Sequence, residues 1–163
     1  MNSLATDAAL RVLLVEDDAN DAELLLERLR EDGLAIEARQ VETEDDFREA
    51  LAQFEPDIVI SDLSMPMFSG YRALEILRER AHLVPFIFVS GTMGEDAAVM
   101  ALRAGAIDYL LKERLARLPS AVTRAVQEAR AAQARERSEK ELMRAQRFES
   151  LAMLAGGLSH DLR

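Results

Sequence analysis

Four short apolar runs, each ending in a residue that can do chemistry, constrain this chain more than anything else in it. Val12-Leu13-Leu14-Val15 runs into Glu16-Asp17-Asp18. Ile58-Val59-Ile60-Ser61 ends in Asp62. Phe86-Ile87-Phe88-Val89 ends in Ser90. Ile107-Asp108-Tyr109-Leu110-Leu111 ends in Lys112. Runs this short and this apolar read as strands buried on both faces of a parallel sheet. In open α/β sheets, ligands bind outside the carboxyl ends of the strands. An acidic cluster, a second carboxylate, a hydroxyl and an ammonium are therefore expected along one edge. Lys112 is the only lysine in the first 139 residues.

Helix signals separate the runs. Asn20 to Asp32 reads as a helix with Leu24, Leu25 and Leu29 on one face and Gly33 as its stop. Ile36 to Val41 alternates apolar and polar residues, as a weaker strand would. Thr43-Glu44-Asp45-Asp46 resembles a capping box and opens a helix to Phe54. Ser69 to Arg80 is a third helix. A fourth opens at Gly94-Glu95-Asp96 and closes at Gly105. Five β–α steps predict a doubly wound parallel sheet with right-handed crossovers.

Composition changes after Lys112. Residues 1–112 carry 10 basic and 23 acidic residues, and residues 113–163 carry 10 basic and 7 acidic. The acidic part argues against a nucleic-acid surface. From Ser120 to Ala155 there is no Gly or Pro, and Pro119 suits a first helical turn. The spacing predicts one long helix. Val122 and Ala125 can pack on the sheet, whereas Leu142, Phe148, Leu151, Leu154 and Leu158 need a partner, most simply a second copy in a coiled coil. The heptad is imperfect, so a frayed tail is the competing expectation. No apolar run reaches the ~20 residues of a membrane span. Met1 to Ala9 lacks the basic and apolar parts of a signal peptide, and there is no cysteine. A cytoplasmic protein is expected.

The strand ends suggest a specific chemistry. Asp62 can act as a carboxylate nucleophile toward a phosphoryl group. Such chemistry needs a divalent ion held by one or two carboxylates, which Glu16 and Asp17 supply. Lys112 would set a point charge on the phosphoryl oxygens, and Ser90 offers a hydroxyl. Asp17 or Asp62 alone could equally be a helix cap. An acid pair, an Asp, a Ser and a Lys at successive strand ends make that weaker reading lose.

Through these motifs, residues 10 to about 130 resemble the receiver domain of two-component response regulators. The resemblance rests on Leu13-Leu14-Val15-Glu16-Asp17-Asp18, on Ser61-Asp62-Leu63-Ser64-Met65-Pro66 with Gly70, on Phe88-Val89-Ser90-Gly91 and on Asp108-Tyr109-Leu110-Leu111-Lys112. It implies a flavodoxin-like five-stranded sheet of order 2-1-3-4-5 with helices on both faces. It makes Asp62 the phosphoacceptor and Asp17 a direct Mg²⁺ ligand. Glu16 supports the ion, and the Ser64 carbonyl completes its protein ligands. Ser90 and Tyr109 become the switch pair, and Asp18 starts the first helix. Glu113 stands where members usually carry proline, and Ser69 where Asp often precedes the glycine.

The tail resembles the start of a histidine kinase dimerisation domain, through Gln146-Arg147-Phe148-Glu149-Ser150-Leu151 and Ala155-Gly156-Gly157-Leu158-Ser159-His160-Asp161-Leu162-Arg163. That places His160 on the phosphoacceptor histidine and Asp161 on its acidic neighbour. His82 reads as plain surface. The expected organisation is a disordered stretch over 1–9, a receiver over 10–130, and a coiled-coil linker helix with the start of the kinase dimerisation domain over 131–163. No phosphate-binding loop for ATP is present, so the chain reads as the N-terminal piece of a receiver–histidine kinase, not a kinase by itself. The partners implied are a histidine kinase or phosphotransfer protein and a second copy of the chain. Two rival readings are an inactive receiver serving as a dimerising scaffold and a phosphatase of the haloacid type, which would want Asp where Ser64 stands.

Overall fold

The structure is a computed structural model that describes residues 8–92 and 94–161, the last five of these as backbone only. Five strands and five helices alternate: β1 Leu10–Val15, α1 Ala19–Glu31, β2 Ile36–Val41, α2 Glu44–Gln53, β3 Ile58–Asp62, α3 Gly70–Arg80, β4 Phe86–Ser90, α4 Glu95–Arg103, β5 Asp108–Leu111 and α5 Leu118–Asp161. A 3₁₀ turn, Leu115–Arg117, precedes α5 and has no counterpart in the sequence reading. The sheet is parallel throughout, in the order β2-β1-β3-β4-β5. This is the expected flavodoxin-like arrangement.

Alternate side chains of the strands feed two cores. On one face Val12, Leu14, Ile60 and Val89 pack with Leu25 and Leu29 of α1 and with Leu118, Val122 and Val126 of α5. On the other, Leu13, Val59, Phe86 and Phe88 pack with Phe47 of α2 and with Leu74 and Leu77 of α3. Val122 and Ala125 are both buried there, as expected. One helix face needs correction. Leu24 is 57% exposed, and the buried stripe of α1 is Ala22, Leu25, Leu26 and Leu29. That stripe keeps the i, i+3, i+4, i+7 spacing of one helix face, which Leu24 breaks. By contrast α4 fully buries Ala101 alone.

Two helix starts are capped by side chains, the second through the Thr43 half of the expected capping box. The Asp18 carboxylate accepts from the backbone N–H of Asn20 and Asp21, and Thr43 Oγ1 accepts from Asp46 N–H. Gly33 sits at φ 86°, in the left-handed region that favours glycine.

Gly70 is needed for a different reason. A Cβ there would lie 2.7 Å from Phe88 Cε1 and 3.0 Å from Ser61 Oγ, and would also strike the Asp62 carbonyl. Gly70→Ala is expected to destabilise the fold by about 1–3 kcal/mol, the range for overpacking a dense core. A fall in the urea midpoint with an unchanged slope checks this.

The chain divides into two compact units, Met1–Ala129 and Arg130–Arg163. In the second unit Leu142, Met143, Phe148, Leu151, Met153 and Leu154 are 55–75% exposed. Leu158, His160 and Asp161 lie on helical backbone, and their side chains fall outside the described residues. Among the described residues no helix is long and apolar enough to cross a membrane.

Candidate functional site

Strand register brings the polar ends together. Val15 pairs with Ser61, so Glu16, the next residue, lies beside Asp62. Asp62 pairs with Val89, and Ser90 pairs with Leu111, one residue short of Lys112. Both faces of β1, β3 and β4 are buried, so a slip of one residue would exchange the side chains of two differently shaped cores and mismatch their packing.

Glu16 is only 2% exposed. Its Oε1 accepts from Asp18 N–H at 3.1 Å, and its carbonyl accepts from Gln40 Nε2 at 2.8 Å. Its Oε2 is buried and accepts no hydrogen bond. Burial pushes the Glu16 carboxyl up from its ordinary value, more than Lys112 and the Asp18 N–H pull it down. Ligand oxygens of Glu16, Asp17 and Asp62 all lie within 4.8 Å of one another. Three carboxylates so close repel unless a cation joins them, and a buried oxygen without a donor is costly unless it is claimed. The site therefore fits a hard divalent cation, which takes oxygen ligands.

Lys112 supplies the positive charge. Its Nζ donates to Asp21 Oδ2 at 2.7 Å and to Asp62 Oδ2 at 3.0 Å, and stands 2.9 Å from Glu16 Oε2. Burial alone would lower its pKa, but the adjacent Asp21, Glu16 and Asp62 carboxylates outweigh that and raise it. The lysine stays an ammonium at any physiological pH. Asp62 is half-buried, and its Oδ1 receives a long contact, 3.4 Å, from Ser64 N–H.

Ser90 is buried, and its Oγ lies 3.2 Å from both Thr92 Oγ1 and Thr92 N. Tyr109 Oη donates to the Thr92 carbonyl at 3.0 Å. Ser90, Thr92 and Tyr109 thus form a chain of hydrogen bonds leading from the strand end into the loop before α4. Glu113 is exposed, and every peptide bond among the described residues is trans. His82 is exposed, and its carbonyl accepts from Arg78.

The structure gathers Glu16, Asp17, Asp62 and Lys112 into one cluster, with Ser90 joined to it through the sheet. It adds Asp21, Thr92 and Gln40, which the strand ends do not single out. Asp21 was legible in principle: it lies three residues after the Asp18 cap, on the same turn of α1.

The family model described as the response regulator receiver domain matches residues 12–123. This chain belongs to the response regulator receiver domain family. The receiver of the putative Luxo repressor protein from Vibrio parahaemolyticus superimposes with a TM-score of 0.70 at 28% identity, over 79% of this chain and 98% of that one. The receiver of a signal transduction histidine kinase from Syntrophus aciditrophicus does so at 0.63 and 28% identity, over 74% and 92%. Among curated relatives, the DNA-binding transcriptional regulator NtrC of Proteus hauseri is 33% identical over 117 residues, 69% of this chain and 24% of the relative. The transcriptional regulatory protein PrrA of Mycobacterium leprae is 37% identical over 105 residues, 63% of this chain and 43% of the relative. The receiver therefore spans less than half the length of these relatives. The receiver family accounts for the two-component signalling role and for the sheet edge just described.

Proposed function

We propose that this receiver accepts a phosphoryl group on Asp62 from a histidine kinase or phosphotransfer protein, and that the modified site biases the C-terminal helix. The observation that carries the reading is the Lys112 ammonium, held 3.0 Å from Asp62 Oδ2 beside the acidic cluster. An Asp62 oxygen attacks phosphorus as the P–N bond of a donor phosphohistidine breaks. The electron pair of that bond leaves with the imidazole, which carries its proton on the other ring nitrogen. Glu16, Asp17, Asp62 and the Ser64 carbonyl would hold Mg²⁺, which supplies Lewis-acid charge at the phosphoryl oxygens. Lys112 would neutralise charge on the phosphoryl oxygens, and its hydrogen bonds to Asp21 and Asp62 pre-orient it.

The new charge at Asp62 favours a donor, and the Ser90 hydroxyl is the nearest candidate by strand position. Ser90 turning toward it gives up its contact with Thr92, and Tyr109, bonded to the same residue, moves inward. Shifting a two-state equilibrium from 1:99 to 99:1 takes about 5.5 kcal/mol, on the scale of a small network of charged hydrogen bonds.

In this reading residues 131–163 form a linker helix that pairs with a second copy and opens a histidine kinase dimerisation domain, with His160 as its phosphoacceptor and Asp161 beside it. The exposed apolar residues of the second unit and the likeness to a receiver from a histidine kinase support it. An inactive scaffold is disfavoured by the intact acid and lysine set, and a haloacid-type phosphatase by Ser64.

The test is acetyl phosphate with Mg²⁺, read by intact mass. One phosphoryl group is expected per chain, and none when EDTA removes the metal. An unmodified chain under saturating donor and Mg²⁺ would leave the scaffold reading in place.

A further inference from the structure

Asp21 lies on α1, outside the four strand ends, yet it makes the shortest bond to Lys112: 2.7 Å, against 3.0 Å to Asp62. An ammonium has three N–H donors. Two of them go to Asp21 and Asp62. Glu16 Oε2 is 2.9 Å from the same nitrogen, but the geometry makes no hydrogen bond. The buried oxygen in the cluster is thus ion-paired with the ammonium but receives none of its N–H bonds.

We propose that Asp21 is a positioning residue: by drawing the Lys112 ammonium toward α1, it keeps Glu16 Oε2 available to a divalent cation. This rests on the reading of the acidic cluster as the metal site of the phosphoacceptor. Without the Asp21 carboxylate nothing pulls Lys112 toward α1. Its N–H then turns to Glu16 Oε2, the acceptor already within reach. An oxygen engaged by an ammonium is a poorer ligand, and the ammonium charge moves closer to the cation. Asp21 has no role in the α1 cap beyond its backbone, because the Asp18 side chain is the acceptor there. Changing the Asp21 side chain therefore leaves the helix start intact.

The experiment is a double-mutant cycle on the full chain, titrated with Mg²⁺ alone and followed by amide NMR shifts at the strand ends. Asp21→Asn is expected to weaken Mg²⁺ binding roughly tenfold, the lower end of what outer-shell changes cost a metal site. In a Lys112→Met background the same change should cost less than about twofold, because the two changes act through one contact and do not add. Asp21→Glu, which returns a carboxylate, should restore most of the affinity. Equal weakening in both backgrounds would mean that Asp21 acts only as one more negative charge, and would overturn the proposal. So would Mg²⁺ affinity that ignores Asp21→Asn, or a wild-type chain that binds no Mg²⁺. Parallel acetyl phosphate labelling separates the two levels. A wild-type chain that binds Mg²⁺ with the expected cycle but takes no phosphoryl group sinks the phosphoacceptor reading and leaves Asp21 as a metal-positioning residue.

Discussion

Asp62→Asn is expected to reduce phosphoryl labelling to background. The amide has the same shape and can still accept from Lys112, but it has no anionic oxygen to attack phosphorus. The loss is one of chemistry, not of fold. Lys112 keeps its 2.7 Å bond to Asp21 and its 2.9 Å approach to Glu16. Removing one charge from a group of three crowded carboxylates also relieves repulsion, so the variant should unfold at a urea midpoint no lower than the parent. Labelling by acetyl phosphate and the unfolding curve are read on the same preparation. Phosphoryl transfer that survives the substitution would place the nucleophile elsewhere in the chain.

Cutting the chain after Arg130 should convert a dimer into a folded monomer. The first unit keeps both hydrophobic layers, including the α5 residues Leu118, Val122, Ala125 and Val126. The described part that is removed is helix whose large apolar side chains are 55–75% exposed. Each such side chain contributes roughly 1.5–3 kcal/mol when fully buried, and six of them are enough to drive association against its entropic cost. Parallel pairing puts both receivers at one end. Sedimentation of the full chain and of residues 1–130 over a range of concentrations checks this. A full chain that remains monomeric at high concentration would remove the dimer from the proposal.

Strands β1, β3 and β4 were legible because a buried parallel strand tolerates almost nothing but apolar residues, whereas the run expected to be buried before Lys112 is the edge strand β5, which buries only Leu110. The face of α1 was harder. Leu24, Leu25 and Leu26 are consecutive, and only the full spacing from Ala22 to Leu29 shows that Leu24 is the one left outside. The bond from Lys112 to Asp21 spans 91 residues. No local pattern encodes such a pair; it follows from which helix start the sheet order sets beside β5 and β3. Thr92 is hidden for a similar reason. Its role is carried by a loop carbonyl and a hydroxyl contact of 3.2 Å, neither of which leaves a periodic trace.

The helix that follows that loop is held most loosely. Where α3 fixes itself to the sheet with Leu74, Ile76 and Leu77, α4 has only the methyl of Ala101 fully inside, and Val99, Met100 and Leu102 face outward. Its amides should therefore exchange with solvent sooner than those of its neighbours, since opening it exposes little that was covered. The Thr92 carbonyl, gripped by Tyr109, sits immediately upstream. A rearrangement at the sheet edge therefore has the least buried apolar surface to disturb where it reaches α4.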